Sequence, residues 1–104
     1  MTTRNKETIK FMESITDGPL TFGKMLSSLR ISDDIAQTEL AKKAKVSKGL
    51  VCDIEKGRRD ASIELAIKLA KIMDYPPETF LSILFEEQLR RAKSKLKVRI
   101  EEAA

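Results

Sequence analysis

The stretch that decides the fold runs from residue 36 to residue 59 and reads AQTELAKKAKVSKGLVCDIEKGRR. Its first half carries apolar residues at the spacing of one helix face, namely Leu40, Ala41 and Ala44. Ser47 then offers a hydroxyl that can accept a free backbone N–H at the start of a second helix. That second helix has its own apolar residues, Leu50, Val51 and Ile54. Gly57 follows as a left-handed stop. The stretch therefore predicts two short helices joined by a tight turn.

These two helices lie in a basic setting. Residues 36–60 contain seven Lys or Arg and four Asp or Glu, so seven minus four leaves a net charge of +3. The whole chain of 104 residues carries a formal charge of +4. A positive balance within the motif is compatible with nucleic acid as a partner. Two short helices in such a context are typical of a helix-turn-helix, which places its second helix in the major groove of DNA.

The same residues resemble the lambda-repressor/Cro-like (XRE-type) helix-turn-helix family. The matching segments are Gln37-x-Glu39-Leu40-Ala41, Val46-Ser47 and Ile54-Glu55-x-Gly57, and the similarity extends from Leu29-Arg30 to residues 65–75. The resemblance implies an all-α, five-helix DNA-binding domain over residues 21–85. Residues 1–20 would form an N-terminal extension with a short helix near residues 7–15. Residues 86–104 would form a basic C-terminal extension for dimerisation or partner binding.

The flanking sequence supplies further helices. Thr21 can cap a helix with an apolar stripe at i, i+3, i+4 and i+7, formed by Phe22, Met25, Leu26 and Leu29. Ser62 can cap a central helix that is apolar on most sides, and Pro77 can open the next helix. No Gly or Pro interrupts residues 78–104, which favours a long helix. From Lys95 onward, however, apolar and charged residues alternate with period two, so a strand remains an alternative.

The resemblance also implies roles for individual residues. Residues expected to contact DNA are Gln37, Thr38, Ser47, Lys48, Gly49, Leu50, Asp53, Lys56, Arg58 and Arg59. Gln37 should bond a phosphate, the residues of the second helix should face base edges, and the cations after Gly57 should contact phosphates. Arg30 and Glu55 are expected to form an ion pair that ties the first helix to the end of the second helix of the motif.

The helix after Pro77 is more apolar than a small monomer requires. Its candidate dimer interface consists of Phe80, Leu81, Leu84, Phe85 and Leu89. The alternative is that these residues only close the core of the domain. Apolar patches on small domains usually meet a partner, which favours a homodimer.

The sequence-based interpretation is a cytoplasmic, dimeric repressor that binds an inverted repeat in double-stranded DNA through the helix Ser47–Lys56. One alternative is an antitoxin similar to HigA, which would repress its own operon and bind a toxin protein. A restriction-modification controller and an interaction module that no longer binds DNA are further alternatives.

Composition argues against other classes of protein. The chain has one Cys and no His, which excludes an internal disulfide, leaves few metal ligands and removes the usual catalytic base. We therefore expect no enzyme activity, no catalytic residue, no metal or other cofactor and no small-molecule ligand. No apolar run is long enough for a membrane helix. Cys52, on the second helix, is either a redox switch or a small side chain that fills a gap.

Overall fold

The computed structural model describes residues 19–93 and 98–103. The predicted N-terminal helix near residues 7–15, and residues 94–97 of the tail, lie outside this part. Within it the chain forms five α-helices and no strand, which confirms the predicted all-α class. The helices are α1 (Phe22–Ser32), α2 (Gln37–Ala44), α3 (Lys48–Glu55), α4 (Ile63–Ile72) and α5 (Pro77–Arg91). None of these helices is long and apolar enough to cross a membrane.

Three of the helices begin at the hydroxyl residues that the sequence indicated, Thr21, Ser47 and Ser62. Each hydroxyl oxygen accepts a hydrogen bond from the backbone N–H three residues later, at 3.2, 3.0 and 3.1 Å respectively. These bonds satisfy N–H groups that have no partner within the helix. The starts of α1, α3 and α4 are therefore fixed by local contacts.

The turn between α2 and α3 depends on Lys45, which adopts a left-handed conformation with φ of 60°. Val46 follows, and its N–H donates to the carbonyl of Ala41 at 3.0 Å, which ends α2 sharply. α2 and α3 are consequently separated by only three residues and pack against each other.

The core is formed by buried side chains from all five helices. Met25 and Leu26 of α1 are fully buried in it. The ring of Phe80 is its centre, with Phe22 edge-on at a centroid distance of 5.8 Å and Tyr75 stacked at 6.0 Å. The contact of the Phe80 and Phe22 rings joins α5 to the start of α1.

Two residues of the predicted dimer interface belong to this core instead. Phe80 is 0% exposed and Leu84 is 1% exposed within a single chain, so neither can offer surface to a partner. The prediction is wrong for these two because a helix in a domain this small buries one full face, and the sequence does not show which face. Leu81, Phe85 and Leu89 are only partly buried and remain the candidates for that interface.

The C-terminal extension departs from the predicted long helix. α5 ends at Arg91, because Lys93 adopts a left-handed φ of 61° and its N–H bonds the carbonyl of Arg90 at 2.9 Å. Residues 98–103 form neither helix nor strand. This segment turns back along α5, where the N–H of Val98 donates to Glu86 Oε2 at 3.1 Å. Ile100 lines a cleft together with Ile67 of α4 and Leu81 of α5.

Candidate nucleic-acid interface

α3 presents one side to the core and the other to solvent. Val51 and Ile54 are buried, which fixes the rotation of the helix about its axis. Ser47, Lys48 and Gly49 at its amino end are exposed. The amino end of this helix is therefore the part that is free to enter a groove of DNA.

The carboxyl end of α3 is held by Glu55. Arg30 Nε donates to Glu55 Oε2 at 2.7 Å, and a second guanidinium nitrogen, Nη2, donates to Oε1 at 3.2 Å. The third, Nη1, donates to the carbonyl of Ile35 at 2.7 Å. The Arg30 and Glu55 side chains are only 12% and 5% exposed. The ion pair predicted from the resemblance is thus present, and it joins α1, the turn before α2 and α3.

Gln37 joins the same cluster. Its Nε2 donates to Glu55 Oε1 at 2.8 Å, so its amide bonds a carboxylate of α3 in this structure. The predicted bond from Gln37 to a phosphate stays a prediction, and it would have to form beside this contact. Because Gln37 is the first residue of α2, the contact places the amino end of α2 next to the loop that follows α3. Thr38 is exposed at the same end.

Gly23 is a residue of the site that the sequence reasoning missed. A Cβ atom at Gly23 would lie 2.4 Å from the carbonyl oxygen of Ile54 and 2.8 Å from that of Glu55. α1 therefore contacts the last turn of α3 backbone to backbone, and a larger side chain would push the two helices apart. The available signal was a glycine inside an apolar helical stripe, which indicates a close approach of another element.

The loop after α3 carries the predicted phosphate-binding cations. Gly57 has φ of 76°, and Lys56, Arg58 and Arg59 are all exposed around it. Arg58 Nη1 lies 3.7 Å from Asp53 Oδ1, so it partly compensates the negative charge that Asp53 brings to α3.

Three other cations of the candidate surface make no ion pair within the described part of the chain. Lys48 at the start of α3 and both Lys56 and Arg59 in the loop after it are free to bind an anion. The surface therefore offers positive charge at both ends of α3.

The same loop is tied to the end of α5 through its next residue, Asp60. Two guanidinium nitrogens of Arg91 donate to the two carboxylate oxygens of Asp60, at 2.7 and 3.1 Å. These hydrogen bonds hold the pKa of Asp60 below its ordinary value and raise the pKa of Arg91. The sequence showed an arginine-rich end of α5 but gave no sign of its partner.

The helix-turn-helix family model matches residues 26–80, which is more than half of the chain. The chain belongs to this family. It is a DNA-binding transcriptional regulator of the XRE type, as its sequence resemblance indicated. No curated protein sequence matches it significantly.

Solved structures similar to the chain are also regulators. The antitoxin HigA of Pseudomonas aeruginosa, solved with the higBA promoter, has a TM-score of 0.65 and 29% identity, and the match covers 71% of this chain and 82% of HigA. The biofilm regulator SinR in complex with DNA has a TM-score of 0.55 and 27% identity, over 59% of this chain and 98% of SinR. The restriction-modification controller C.AhdI of Aeromonas hydrophila has a TM-score of 0.54 and 30% identity, over 57% of this chain and 89% of C.AhdI.

Proposed function

We propose that the chain acts as a homodimeric repressor that binds an inverted repeat in double-stranded DNA, with α3 in the major groove of each half-site. The observation that carries this proposal is the placement of α3. Its amino end is exposed, its opposite side is buried, and its carboxyl end is locked by Glu55 to Arg30 and Gln37. A helix held in this way can enter a groove at a fixed angle.

Base edges would be read from the exposed and half-exposed residues of α3. Lys48 can donate to guanine O6 or N7, Leu50 can contact a thymine methyl group, and Asp53 can accept from cytosine N4. Gly49 has open space around it, since the nearest atom to a Cβ placed there would be Ser47 Oγ at 3.9 Å, so the backbone can approach the bases closely. Ser47 completes this proposed reading surface.

Phosphates would be bound on either side of the reading surface. Gln37 and Thr38 lie at the amino end of α2, where the helix dipole favours an anion. Lys56, Arg58 and Arg59 lie in the loop after α3 and would contribute affinity that depends on salt but not on sequence. With chromosomal DNA as the proposed ligand, we expect the protein in the cytoplasm.

Two copies would pair through the outer side of α5, where Leu81, Phe85 and Leu89 are partly exposed. Two-fold symmetry would place the two α3 helices about 34 Å apart, on successive turns of one face of DNA. An inverted repeat is the sequence that such a pair recognises.

The test is selection of bound duplexes from a random DNA library at near-physiological salt. We expect enrichment of an inverted repeat whose half-sites are about one helical turn apart. The matched comparison is between two triple variants with the same change in charge. Lys48→Glu, Arg58→Glu and Arg59→Glu together should abolish binding, whereas Lys71→Glu, Lys93→Glu and Arg99→Glu together should leave the enriched sequence unchanged. Undiminished binding by the first variant would refute the proposed surface.

A second candidate function is that of an antitoxin. It is favoured by the similarity to HigA, which extends over 71% of this chain. In that case a neighbouring gene would encode a toxin, and production of this chain would relieve the growth arrest that the toxin causes. If production of this chain did not relieve the growth arrest, the antitoxin function would be refuted and the regulator function would remain. A gene for a restriction enzyme in that position would instead favour a controller similar to C.AhdI.

A further inference from the structure

The last turns of α5 contact two separate parts of the chain, the start of α1 and the loop after α3. Glu87 Oε1 accepts from the N–H of Phe22 at 2.9 Å, at the start of α1. Arg90 Nη2 donates to the carbonyl of Leu20 at 2.9 Å. Arg91 makes its paired hydrogen bonds to Asp60 and also lies 3.4 Å from Glu87 Oε2. We call Glu87, Arg90 and Arg91 the α5 clamp.

The α5 clamp bonds the loop after α3 next to the proposed phosphate-binding arginines. Asp60 directly follows Arg58 and Arg59, which the proposed function assigns to DNA phosphates. Residues 56–60 are all exposed. The backbone N–H groups of residues 56–58 donate to carbonyls of α3, which fixes the first part of the loop and leaves the course of Arg59 and Asp60 to other contacts. A planar guanidinium that bonds both oxygens of a carboxylate fixes the orientation of both groups. The Arg91–Asp60 pair is therefore a restraint at the carboxyl end of this loop.

We propose that Asp60 and Arg91 are positioning residues that hold the loop of residues 56–60 so that Arg58 and Arg59 meet the DNA phosphates. This inference rests on the proposed function. It assigns a role to a carboxylate that would otherwise oppose DNA binding, because a negative charge beside two phosphate-binding arginines repels the phosphates. It also gives the carboxyl end of α5 a role in the DNA complex.

Asp60→Asn distinguishes a positioning role from a purely electrostatic role, because the two roles predict changes in DNA affinity of opposite sign. Removal of a negative charge near DNA should tighten binding if Asp60 acts only through its charge. If Asp60 positions the loop, the variant should bind a mixed-sequence duplex of about 20 base pairs roughly 3- to 10-fold more weakly, with a shallower dependence of affinity on salt. Asp74→Asn is the matched control, since it makes the same change in charge at an exposed residue outside the loop, and its affinity should not fall.

A charge exchange completes the experiment. Arg91→Asp alone should weaken DNA binding, and Asp60→Arg combined with Arg91→Asp should restore most of the affinity, because the pair is reformed with the same net charge. Thermal unfolding of each variant should change little, since the Asp60 and Arg91 side chains are about half exposed. An Asp60→Asn variant that binds as tightly as the wild type, or more tightly, would overturn the inference while leaving the DNA-binding function intact. A wild-type chain that binds no duplex at any salt concentration would refute the proposed function itself, and the inference with it.

Discussion

Glu55 is the residue on which the internal contacts of the DNA-binding surface converge. Its carboxylate accepts from two nitrogens of Arg30 and from the amide of Gln37, and its side chain is 5% exposed. A carboxylate that is desolvated to this degree is stable only while its donors remain in place. The Glu55 side chain therefore ties the end of α3 to both α1 and α2, in addition to the buried packing of Val51 and Ile54.

We expect Glu55→Ala to lower the free energy of unfolding by about 3 kcal/mol, because it leaves the Arg30 guanidinium largely buried and without its carboxylate. Urea denaturation measures this quantity. The control is Glu39→Ala, which removes an exposed ion pair of 3.4 Å to Lys43 and should cost less than about 0.5 kcal/mol. Equal urea midpoints for the two variants would show that the buried cluster around Glu55 stabilises the fold no more than an exposed ion pair does.

Gly23 and Gly49 should respond in opposite ways to the same substitution. Gly23→Ala forces a methyl group against the carbonyl oxygen of Ile54 and should destabilise the fold by about 1–3 kcal/mol. Gly49→Ala meets nothing closer than 3.9 Å and should stabilise α3 by up to about 1 kcal/mol, because alanine favours the helix. Thermal unfolding of both variants tests the prediction, and a stabilised Gly23→Ala variant would contradict the close contact of α1 with α3.

Asp60 should make a small contribution to the dependence of stability on pH. Hydrogen bonds from Arg91 lower its pKa in the folded state below the ordinary value of 3.8. The stabilisation is therefore complete above pH 3.8 and disappears as the pH falls through the lower folded-state pKa. Between about pH 6 and about pH 3, we expect the melting temperature of the wild-type protein to fall further than that of the Asp60→Asn variant. An equal fall in melting temperature for both proteins would show that the Asp60–Arg91 pair does not contribute to stability.

At the scale of secondary structure, α5 has two sides with different roles. Phe80 and Leu84 face the core, whereas Leu81, Phe85 and Leu89 face outward in part. The same helix ends in the α5 clamp. A helix that joins the proposed dimer interface to the loop after α3 can transmit the geometry of the dimer to the proposed phosphate contacts.

The proposed interface can be tested on the outward side of α5. Leu89→Asp combined with Phe85→Ser should convert a dimer into a monomer of unchanged helix content, because these side chains are partly exposed and peripheral to the core. Sedimentation equilibrium measures the mass and circular dichroism measures the helix. Gln88→Asp, on the exposed side of the same helix, should remain dimeric. Wild-type protein that sediments as a monomer at micromolar concentration would exclude this dimer.

At the scale of the whole molecule, the excess of 20 basic over 16 acidic residues is small, so the position of the charges matters more than their sum. α3 and the loop that follows it expose Lys48, Lys56, Arg58 and Arg59. The acidic side chains of the same region, Asp53, Glu55 and Asp60, each lie within ion-pair distance of an arginine. The positive potential is thus concentrated where DNA is proposed to bind.

The dependence of DNA affinity on salt should report the number of phosphate contacts. Three cations per protomer, Lys56, Arg58 and Arg59, give six in a dimer, so the logarithm of the binding constant should fall against the logarithm of salt with a slope of about −5. Lys56→Gln should reduce the magnitude of this slope by about 2. Fluorescence anisotropy at several salt concentrations measures it, and a slope near half the expected value would indicate a single bound protomer.

The sequence by itself determined the helices of the domain and their order. Caps such as Ser47 bond the N–H three residues later, the apolar spacing of α1 follows one face, and Gly57 ends the motif at φ of 76°. These features are local, so neighbouring residues decide them whatever the rest of the chain does. The Arg30–Glu55 pair was also foreseen, although only through a family pattern, because its partners are 25 residues apart.

Only the tertiary structure decided which side of each helix is used and what each polar group bonds. It turned Phe80 and Leu84 inward, gave Gln37 a carboxylate partner 18 residues away, and joined Arg91 to Asp60 across 31 residues. It also ended α5 at Arg91. Each of these outcomes depends on where a second element lies, and the spacing of residues along one helix contains no information about that position.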